Sequence, residues 1–458
     1  VSAVPWVNQA EPDYLVCLIV FAVAVIVYVV YGGFRAVVWT DVMQGIVMFV
    51  GVVLMLGFAL YQVGGLENAT RQMAKMTPPE FGSGTLRVSE RSNEDFLISK
   101  GVWIEDDGRV MRLAETVVIP AGMLQSAPVR LLRLTTESEE QRVRNSIAAN
   151  RLPSIDVEVK DSDWQEYQFG AKQPGVYLSN PGPSDSSSLG FLAIGSAISF
   201  IIFWPFGAAG QPSNLVRLLS FKDSRTLRYS VVTVSIYYTV IYFSLVVVFC
   251  CARVLLPGME IDPDRTMPDL ATYLTKAAGM PWLAGILVAA PFAAVMSSVD
   301  SFLLVVSSAV VRDLYQGFLS KGTSEQKVKS LSYLVTILVG VLAMIFVINP
   351  PMYLQDLIVF ATGGLAACFL VPLVLSLYWR RMTSAAAVAG MLGGTCMHVG
   401  LTAWGYYDLG EFRAYQFLGL NPFIWDLGGS LLGCIVVAKM GPQPRVELVK
   451  QYFGNAPS

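Results

Sequence analysis

Three residues that can offer oxygen atoms as ligands to a cation lie on one turn of the apolar stretch 282–308. Ala294, Ser297 and Ser298 are three and four positions apart, so they share one face of a helix. Pro291 and the serines can loosen this backbone and free the carbonyl of Ala294. One carbonyl and two hydroxyls suit a hard cation such as Na⁺. The spacing predicts a sodium site, although serines that only pack helices together would show the same pattern.

Two carboxylates lie near this chemistry. Asp41 follows Thr40 at the expected start of a helix, where a carboxylate can also simply complement the helix N-terminus. Asp300 lies deeper in its apolar stretch and is more costly to leave unpaired. We interpret Asp41 and Asp300 as residues of an ion path, with Asp41 at its cytoplasmic mouth.

A second polar cluster contains Trp204, Phe206, Gly207 and Gln211. Two prolines and two glycines fall within residues 203–212, which predicts an interrupted helix. Transporters place substrate sites at such breaks, because the freed backbone groups need partners there. We assign these four residues to substrate binding, with the aromatic rings as an apolar wall and Gln211 as an amide donor. The competing interpretation is a proline kink with packed aromatic side chains.

Motifs for other chemistry are missing from the sequence. His398 is the only histidine, no partner stands at a suitable spacing, and we interpret it as a packed residue. The six cysteines fall in apolar runs without the spacing of metal ligands. HExxH, GxSxG, P-loop and dinucleotide-binding motifs are absent. We therefore expect no enzyme and no cofactor. Gly429 and Gly433, four apart, predict a close helix contact.

Composition explains why these polar groups are notable. The 458 residues are 54% hydrophobic and 14% charged, whereas soluble domains carry about 25% charged residues. A formal net charge of −2 offers no basic excess for nucleic acid. Soluble enzymes, nucleic-acid binders and disordered chains are disfavoured, and an all-α polytopic membrane protein remains.

Nine stretches are long and apolar enough to span a bilayer, which takes roughly 20 residues. They are residues 14–31, 42–63, 189–209, 229–252, 282–308, 331–348, 354–378, 384–404 and 422–438. We expect the third and fifth to be kinked or broken at Pro205 and Pro291.

Lysine and arginine in the short loops predict the orientation. The loops after spans one, three, five and seven, with the C-terminal tail, carry 14 of these residues, against 4 on the opposite side when the long loop is left out. Short loops rich in lysine and arginine remain on the cytoplasmic side of the membrane. The start of the chain is therefore expected outside and its end inside, in a plasma or inner cell membrane.

These spans define four segments: residues 1–63 with two spans, 64–188, 189–441 with seven spans, and a cytoplasmic tail of 442–458. Residues 64–188 contain short β-branched runs and turn signals. We interpret them as an extracellular or periplasmic insert, partly β or loosely ordered, that is not needed to complete a helical core.

Taken together, several stretches resemble the sodium/solute symporter family, most closely its pantothenate- and proline-permease branch. They cover most of the chain outside the long loop. They are residues 32–45; 210–212 with Arg217 and 222–224; 289–315; and 350–351 with 363–364 and 378–379.

The resemblance implies a five-plus-five inverted-repeat core that is only partly present here. The branch usually has 13 spans, so four would precede Val1, including a broken first core helix at the substrate and sodium sites. Ala294, Ser297 and Ser298 match sodium ligands of the eighth core helix. Asp41 matches a carboxylate of the sodium path. The third span matches the sixth core helix, which contributes to the substrate pocket; the long loop departs from the family pattern.

The function implied is Na⁺-driven import of a small organic solute across the cell membrane, with Na⁺ as coupling ion and the bilayer as partner. Pantothenate-, proline- and monocarboxylate-like solutes remain open, and the sequence assigns no oligomeric state. A transporter-like membrane sensor without net transport is the alternative.

Overall fold

The computed structural model describes residues 14–87, 96–106, 109–119, 126–149, 152, 154–156, 158–219, 221–319, 324–348, 354–410, 412 and 414–454. This part of the chain is mostly helical. Within it, seven helices are long and apolar enough to cross a membrane, judged by length and composition.

The helices follow the apolar runs of the sequence. They are α1 (Tyr14–Val63), α2 (Leu66–Met73), α3 (Glu137–Ala148), α4 (Ile194–Ala209), α5 (Pro212–Leu219), α6 (Ser224–Leu255), α7 (Thr266–Ala277), α8 (Ala284–Ser308), α9 (Glu325–Phe346), α10 (Leu354–Tyr378), α11 (Ser384–Leu409), α12 (Pro422–Met440) and α13 (Val446–Phe453). A π-helical segment, Ala309–Leu319, continues α8. Short 3₁₀ turns are Met259–Ile261, Pro263–Arg265, Pro281–Leu283 and Phe417–Gly419.

The first two predicted spans both fall on α1, a helix of 50 residues. That length corresponds to about 75 Å, more than twice a hydrocarbon core of about 30 Å. Gly33 interrupts it with φ 59° and ψ −165°, a conformation outside the helical region. Glycine adopts a positive φ at little cost, so the chain can turn there without strain.

The third predicted span corresponds to α4, which has 16 residues and is shorter than the seven spanning helices. At about 24 Å it falls short of the hydrocarbon thickness. Nine spans therefore remain a prediction. The helices are not broken at Pro205 and Pro291, because α4 and α8 both continue through their prolines, and kinks at these positions stay a prediction. A proline removes only one hydrogen bond of the helical ladder, and packing against neighbouring helices can sustain the rest.

The chain divides into two compact units. The first comprises Val1–Met43, Ile194–Ser230 and Val295–Ser458. In it α10, α11 and α12 pack together and α4 packs against α10 and α12. Phe203, Ala366 and Phe423 form the buried centre of this group. The predicted close contact of Gly429 and Gly433 is confirmed: a Cβ on Gly433 would lie 2.4 Å from the carbonyl oxygen of Ala389.

The second unit comprises Gln44–Ala193 and Val231–Ala294. A large apolar cluster joins the second part of α1 with α6, α7 and the start of α8. This unit also contains the strands β1 (Glu80–Arg87), β2 (Phe96–Ile98), β3 (Trp103–Asp106), β4 (Arg109–Leu113), β5 (Val117–Ile119), β6 (Ser126–Arg133), β7 (Ser154–Asp156) and β8 (Glu158–Gln165).

Six of these strands form one sheet in the order β7-β3-β4-β6-β1-β8, and β2 pairs with β5. The pairs are antiparallel except β3 with β7. Successive side chains of a strand point to opposite faces, so Leu131 lies in one apolar cluster and Leu132 in another. The second cluster includes Val143 of α3, so this helix covers one face of the sheet.

Candidate cation site

The site begins with a contact between α1 and α8 inside the first unit. The hydroxyl of Ser297 donates to Oδ1 of Asp41 over 2.6 Å. Ser297 and Asp41 are both partly buried. The sequence had separated them, with Ser297 as a ligand and Asp41 at the mouth of a path, but the structure brings them into direct contact.

A second carboxylate follows one turn further along α8. Asp300 is fully buried, and its Oδ1 accepts a hydrogen bond from the hydroxyl of Tyr28. Its Oδ2 has no hydrogen-bond partner among the described residues. A buried carboxylate needs a positive or hydrogen-bonding partner, because the charge is costly in an apolar region. Oδ2 of Asp300 is thus a buried oxygen acceptor that a cation or a hydrogen-bond donor can satisfy.

The break at Gly33 explains how two parts of α1 reach one stretch of α8. Tyr28 contacts Asp300 and Asp41 contacts Ser297, and these two α8 positions are about 4.5 Å apart along the axis. On an unbroken helix residues 28 and 41 would be about 20 Å apart. The chain therefore turns back at Gly33.

Apolar side chains from both parts of α1 seal this contact. Val25 and Val29 before the turn and Val37 after it pack with Leu303 of α8 in one buried cluster. Polar groups next to packed apolar side chains interact in a lower effective dielectric than in water. A cation held there would be attracted more strongly than at the surface.

The other predicted sodium ligands lie on the same helix. Ala294 precedes Ser297 by one turn of α8, and Ser298 follows it and is more exposed. The hydroxyl of Ser301 donates to the carbonyl of Ser297 over 2.8 Å. Among the described residues, no group of three or more His, Cys, Asp or Glu side chains is arranged to hold a metal. The hydroxyl of Ser297 and the carboxylate of Asp41 are oxygen donors, the type of ligand that a hard cation such as Na⁺ accepts.

The predicted substrate residues lie on and just after α4. Gly207 is buried, and a Cβ there would lie 3.3 Å from the methyl group of Thr362. Gln211 donates from Nε2 to Oγ1 of Thr362 over 3.3 Å. Trp204 and Phe206 are half exposed, at 52% and 51%. Gly207 and Gln211 thus both contact Thr362 of α10.

Sequence reasoning missed Tyr28, Thr362 and the partner of His398. Nδ1 of His398 lies 2.7 Å from Oδ2 of Asp426, and both side chains are buried. His398 is buried, as expected of a packed residue, and its partner was not found by spacing because α11 and α12 are antiparallel neighbours that place distant positions side by side. The sequence shows each of these residues as a polar side chain in or beside an apolar run. Spacing along the chain does not identify the residue that it contacts.

Several helices of membrane-spanning length with buried polar contacts between them define a multi-pass membrane protein. The sequence model of the sodium:solute symporter family matches residues 8–148 and 175–394. The chain belongs to this family. The match includes β1–β6 and α3, which belong to the segment 64–188 that the sequence predicts to be an insert.

Curated relatives agree with this membership. The chain is 26% identical over 436 residues to a sodium/pantothenate symporter of Haemophilus influenzae, covering 95% of this chain and 66% of the relative. It is 25% identical over 435 residues to the sodium/pantothenate symporter of Escherichia coli, with 95% and 66% covered. A sodium/proline symporter of Salmonella typhimurium is 29% identical over 270 residues, 57% of this chain and 52% of the relative. The chain thus spans less than two thirds of these relatives' length.

Proposed function

We propose that this protein is a symporter in which Na⁺ entry drives the import of a small organic solute. The hydrogen bond from Ser297 to Asp41 is the observation that carries the proposal. It brings a hydroxyl of α8 and a carboxylate of α1 within reach of a single bound ion. Relative movement of the helices would make or break a cation site, which is what coupling requires.

The solute class rests on the relatives. The compared proteins are named as sodium/pantothenate and sodium/proline symporters. Both substrates are small and carry a carboxylate, so we propose a small carboxylated solute, monocarboxylates included. The relatives compared here give no support to the sensor alternative.

Ala294, Ser297 and Ser298 are the proposed sodium ligands, with Asp41 and Asp300 along the ion path. One monovalent cation crossing 100 mV supplies about 2.3 kcal/mol before its concentration gradient is added. A single Na⁺ can therefore drive an uphill import of the solute.

For the solute we propose a site at the end of α4. Gln211 supplies the amide, and Gly207 leaves the backbone open next to Thr362 of α10. Trp204 and Phe206 supply an exposed aromatic surface.

The proposed topology has nine spans within an inverted-repeat core in the cell membrane. The turn at Gly33 divides α1 into two of them, and α4 with the apolar residues before it supplies another. The start of the chain lies outside, the sheet-containing segment 64–188 lies on the same side, and α13 lies in the cytoplasm.

The test is uptake of labelled pantothenate, proline and short monocarboxylates by cells expressing the full-length protein that contains this chain, in Na⁺ or in K⁺ medium. We expect Na⁺ to stimulate the uptake of at least one solute. The purified chain should also melt at a higher temperature in Na⁺ than in K⁺, because a ligand stabilises the state that binds it. Uptake and melting that are the same in both ions would refute the proposal.

A further inference from the structure

The pair of His398 and Asp426 lies on α11 and α12, apart from the residues assigned to Na⁺ and solute. Asp426 is fully buried and His398 is 6% exposed. Nδ1 of the imidazole and Oδ2 of the carboxylate are 2.7 Å apart. That distance is in the range of charge-assisted N–H···O bonds.

An aromatic ring and the backbone of α10 lie next to this pair. The ring of Phe360 lies 4.8 Å from the imidazole, centroid to centroid. The backbone of α10 is close at Gly363 and Gly364, where a Cβ on Gly364 would lie 3.1 Å from Nε2 of His398. Nε2 of His398 and Oδ1 of Asp426 have no hydrogen-bond partner among the described residues.

No other described charge on the surrounding helices is placed to neutralise Asp426. The remaining titratable side chains described on α4, α10, α11 and α12 are Cys368, Tyr378, Cys396, Tyr406, Tyr407, Asp408, Cys434 and Lys439. Of these, Asp408 and Lys439 carry charge near neutral pH. Both are exposed and lie about 15 and 20 Å along their helices from the pair.

A buried carboxylate in apolar surroundings is stable only with a positive partner. With a neutral imidazole the pair carries one negative charge, whereas with a protonated imidazole its net charge is zero. We propose that His398 and Asp426 form a proton-binding site between α11 and α12, in which a proton on the imidazole balances the buried carboxylate. The ligand is H⁺, and the site is separate from the proposed Na⁺ site.

Proton release would act on the contact between these two helices. Gly429 and Gly433 bring α12 against α11, with a Cβ on Gly429 only 3.0 Å from the carbonyl oxygen of Gly393. Helices packed this closely have little room to rearrange or to admit water around an unbalanced charge. Loss of the proton at alkaline pH therefore weakens the α11–α12 contact.

The single histidine makes the test direct. The full chain, labelled with ¹⁵N-histidine, yields signals from one imidazole only. At pH 7.5 a free imidazole, whose pKa is about 6.5, is mostly neutral. We expect both ring nitrogens of His398 to carry protons at this pH. Asp426→Asn should leave one nitrogen bare, and Asp408→Asn, the control on α11, should keep the wild-type spectrum.

A second measurement covers the case in which a variant folds poorly. A proton bound by the folded pair and released on unfolding makes stability fall as the pH rises, so the proposal predicts a lower melting temperature of the wild type at pH 9.5 than at pH 7.5. The double variant His398→Gln/Asp426→Asn should lose that part of the slope. A bare imidazole nitrogen in the wild type at pH 7.5, or an unchanged slope in the double variant, overturns the proposal.

Discussion

The hydroxyl of Ser297 donates a hydrogen bond of 2.6 Å to Oδ1 of Asp41, so α8 and α1 meet at a polar point inside an apolar contact. A hydroxyl and a carboxylate oxygen so close can share one cation. In the proposed sodium site the two residues act together, so the effects of their variants should not be independent.

We therefore expect Ser297→Ala and Asp41→Asn each to raise the Na⁺ concentration for half-maximal uptake about tenfold, since a hydrogen bond to a charged group contributes about 1.5–3 kcal/mol. In the double variant this Na⁺ concentration should rise by much less than the product of the two single increases, because the effects of contacting residues are not additive. Ser298→Ala should act in the same direction and Ser298→Thr more mildly.

Ser235→Ala is the matched serine control, because that exposed hydroxyl bonds to the carbonyl of Val231 in its own helix. Multiplicative losses in the double variant would show that Ser297 and Asp41 act independently. An unchanged Na⁺ dependence in all of these variants would remove the serines from the sodium site.

Asp300 yields a second prediction. Asp300→Asn keeps the size of the side chain but removes the charge that, in the proposed ion path, attracts a cation to the buried Oδ2. We expect the maximal rate of Na⁺-driven uptake to fall at least tenfold. Tyr28→Phe removes one hydrogen-bond donor and leaves the charge, so its loss should be a few-fold at most. Wild-type rates in Asp300→Asn at equal protein levels would exclude Asp300 from the ion path.

The helical character of the chain was predictable because an apolar run is a local property that reports directly on burial in lipid. The bounds of α9, α10, α11 and α12 follow such runs closely. The continuity of α4 and α8 was not predictable from Pro205 and Pro291, because the support that sustains a helix past a proline comes from other parts of the chain. The pairing of β3 with β7 likewise depends on contacts between distant segments.

The types of residue in the site could be predicted from the sequence, but the pairs that contact one another could not. Ser297 and Asp41 stood out as oxygen-bearing groups at the edge of apolar runs. Tyr28 and Asp300 are 272 positions apart, and His398 and Asp426 are 28 apart. No helical or strand period relates such positions, so only the packing of the helices identifies the partners.

Arg112 leads to a prediction about segment 64–188. This buried arginine of β4 donates to the carbonyl of Gly101 over 3.0 Å and to that of Gly258, after α6, over 2.9 Å. Its guanidinium also lies 5.5 Å from the ring centroid of Trp103. Arg142 of α3 donates to the carbonyl of Val254 at the end of α6. These bonds attach the sheet to the α6–α7 connection.

The sequence predicts that this segment is not needed to complete a helical core, and its contacts with the α6–α7 connection predict that it contributes to stability. Arg112→Ala leaves buried carbonyls unpaired and should cost about 3 kcal/mol. Arg109→Ala, an exposed arginine on the same strand, is the control and should cost little. Replacing residues 70–185 by a short linker should lower the melting temperature further. Equal melting of Arg112→Ala and Arg109→Ala would show that the attachment contributes nothing to stability.

Orientation is tested by labelling single cysteines in a cysteine-free background. Ser179 is exposed in the sheet-containing segment and Lys450 lies on α13. From the excess of basic residues in the short loops on one side, we expect Ser179→Cys to react with a membrane-impermeant maleimide in intact cells. Lys450→Cys should react only after the membrane is opened. The reverse pattern would invert the topology.

Glu139 makes the stability of the second unit depend on pH. It lies in the first turn of α3 and is 3% exposed. Burial raises the pKa of its carboxyl to about 7, against the pull of a hydrogen bond from Thr136 and of the nearby Arg253 and Arg142. Glu260 is the other carboxylate close to it.

A pKa raised above that of the unfolded chain means that the folded state binds more protons. The stabilising contribution is therefore complete below about pH 4.5 and is lost as the pH rises through about 7. The loss is on the order of 3 kcal/mol by pH 8. Glu139→Gln cannot lose a proton, so its melting temperature relative to wild type should rise between pH 5 and pH 8. Glu137→Gln, an exposed neighbour on α3, should follow the wild type throughout. A constant difference between Glu139→Gln and wild type across this range would mean that Glu139 does not titrate within it.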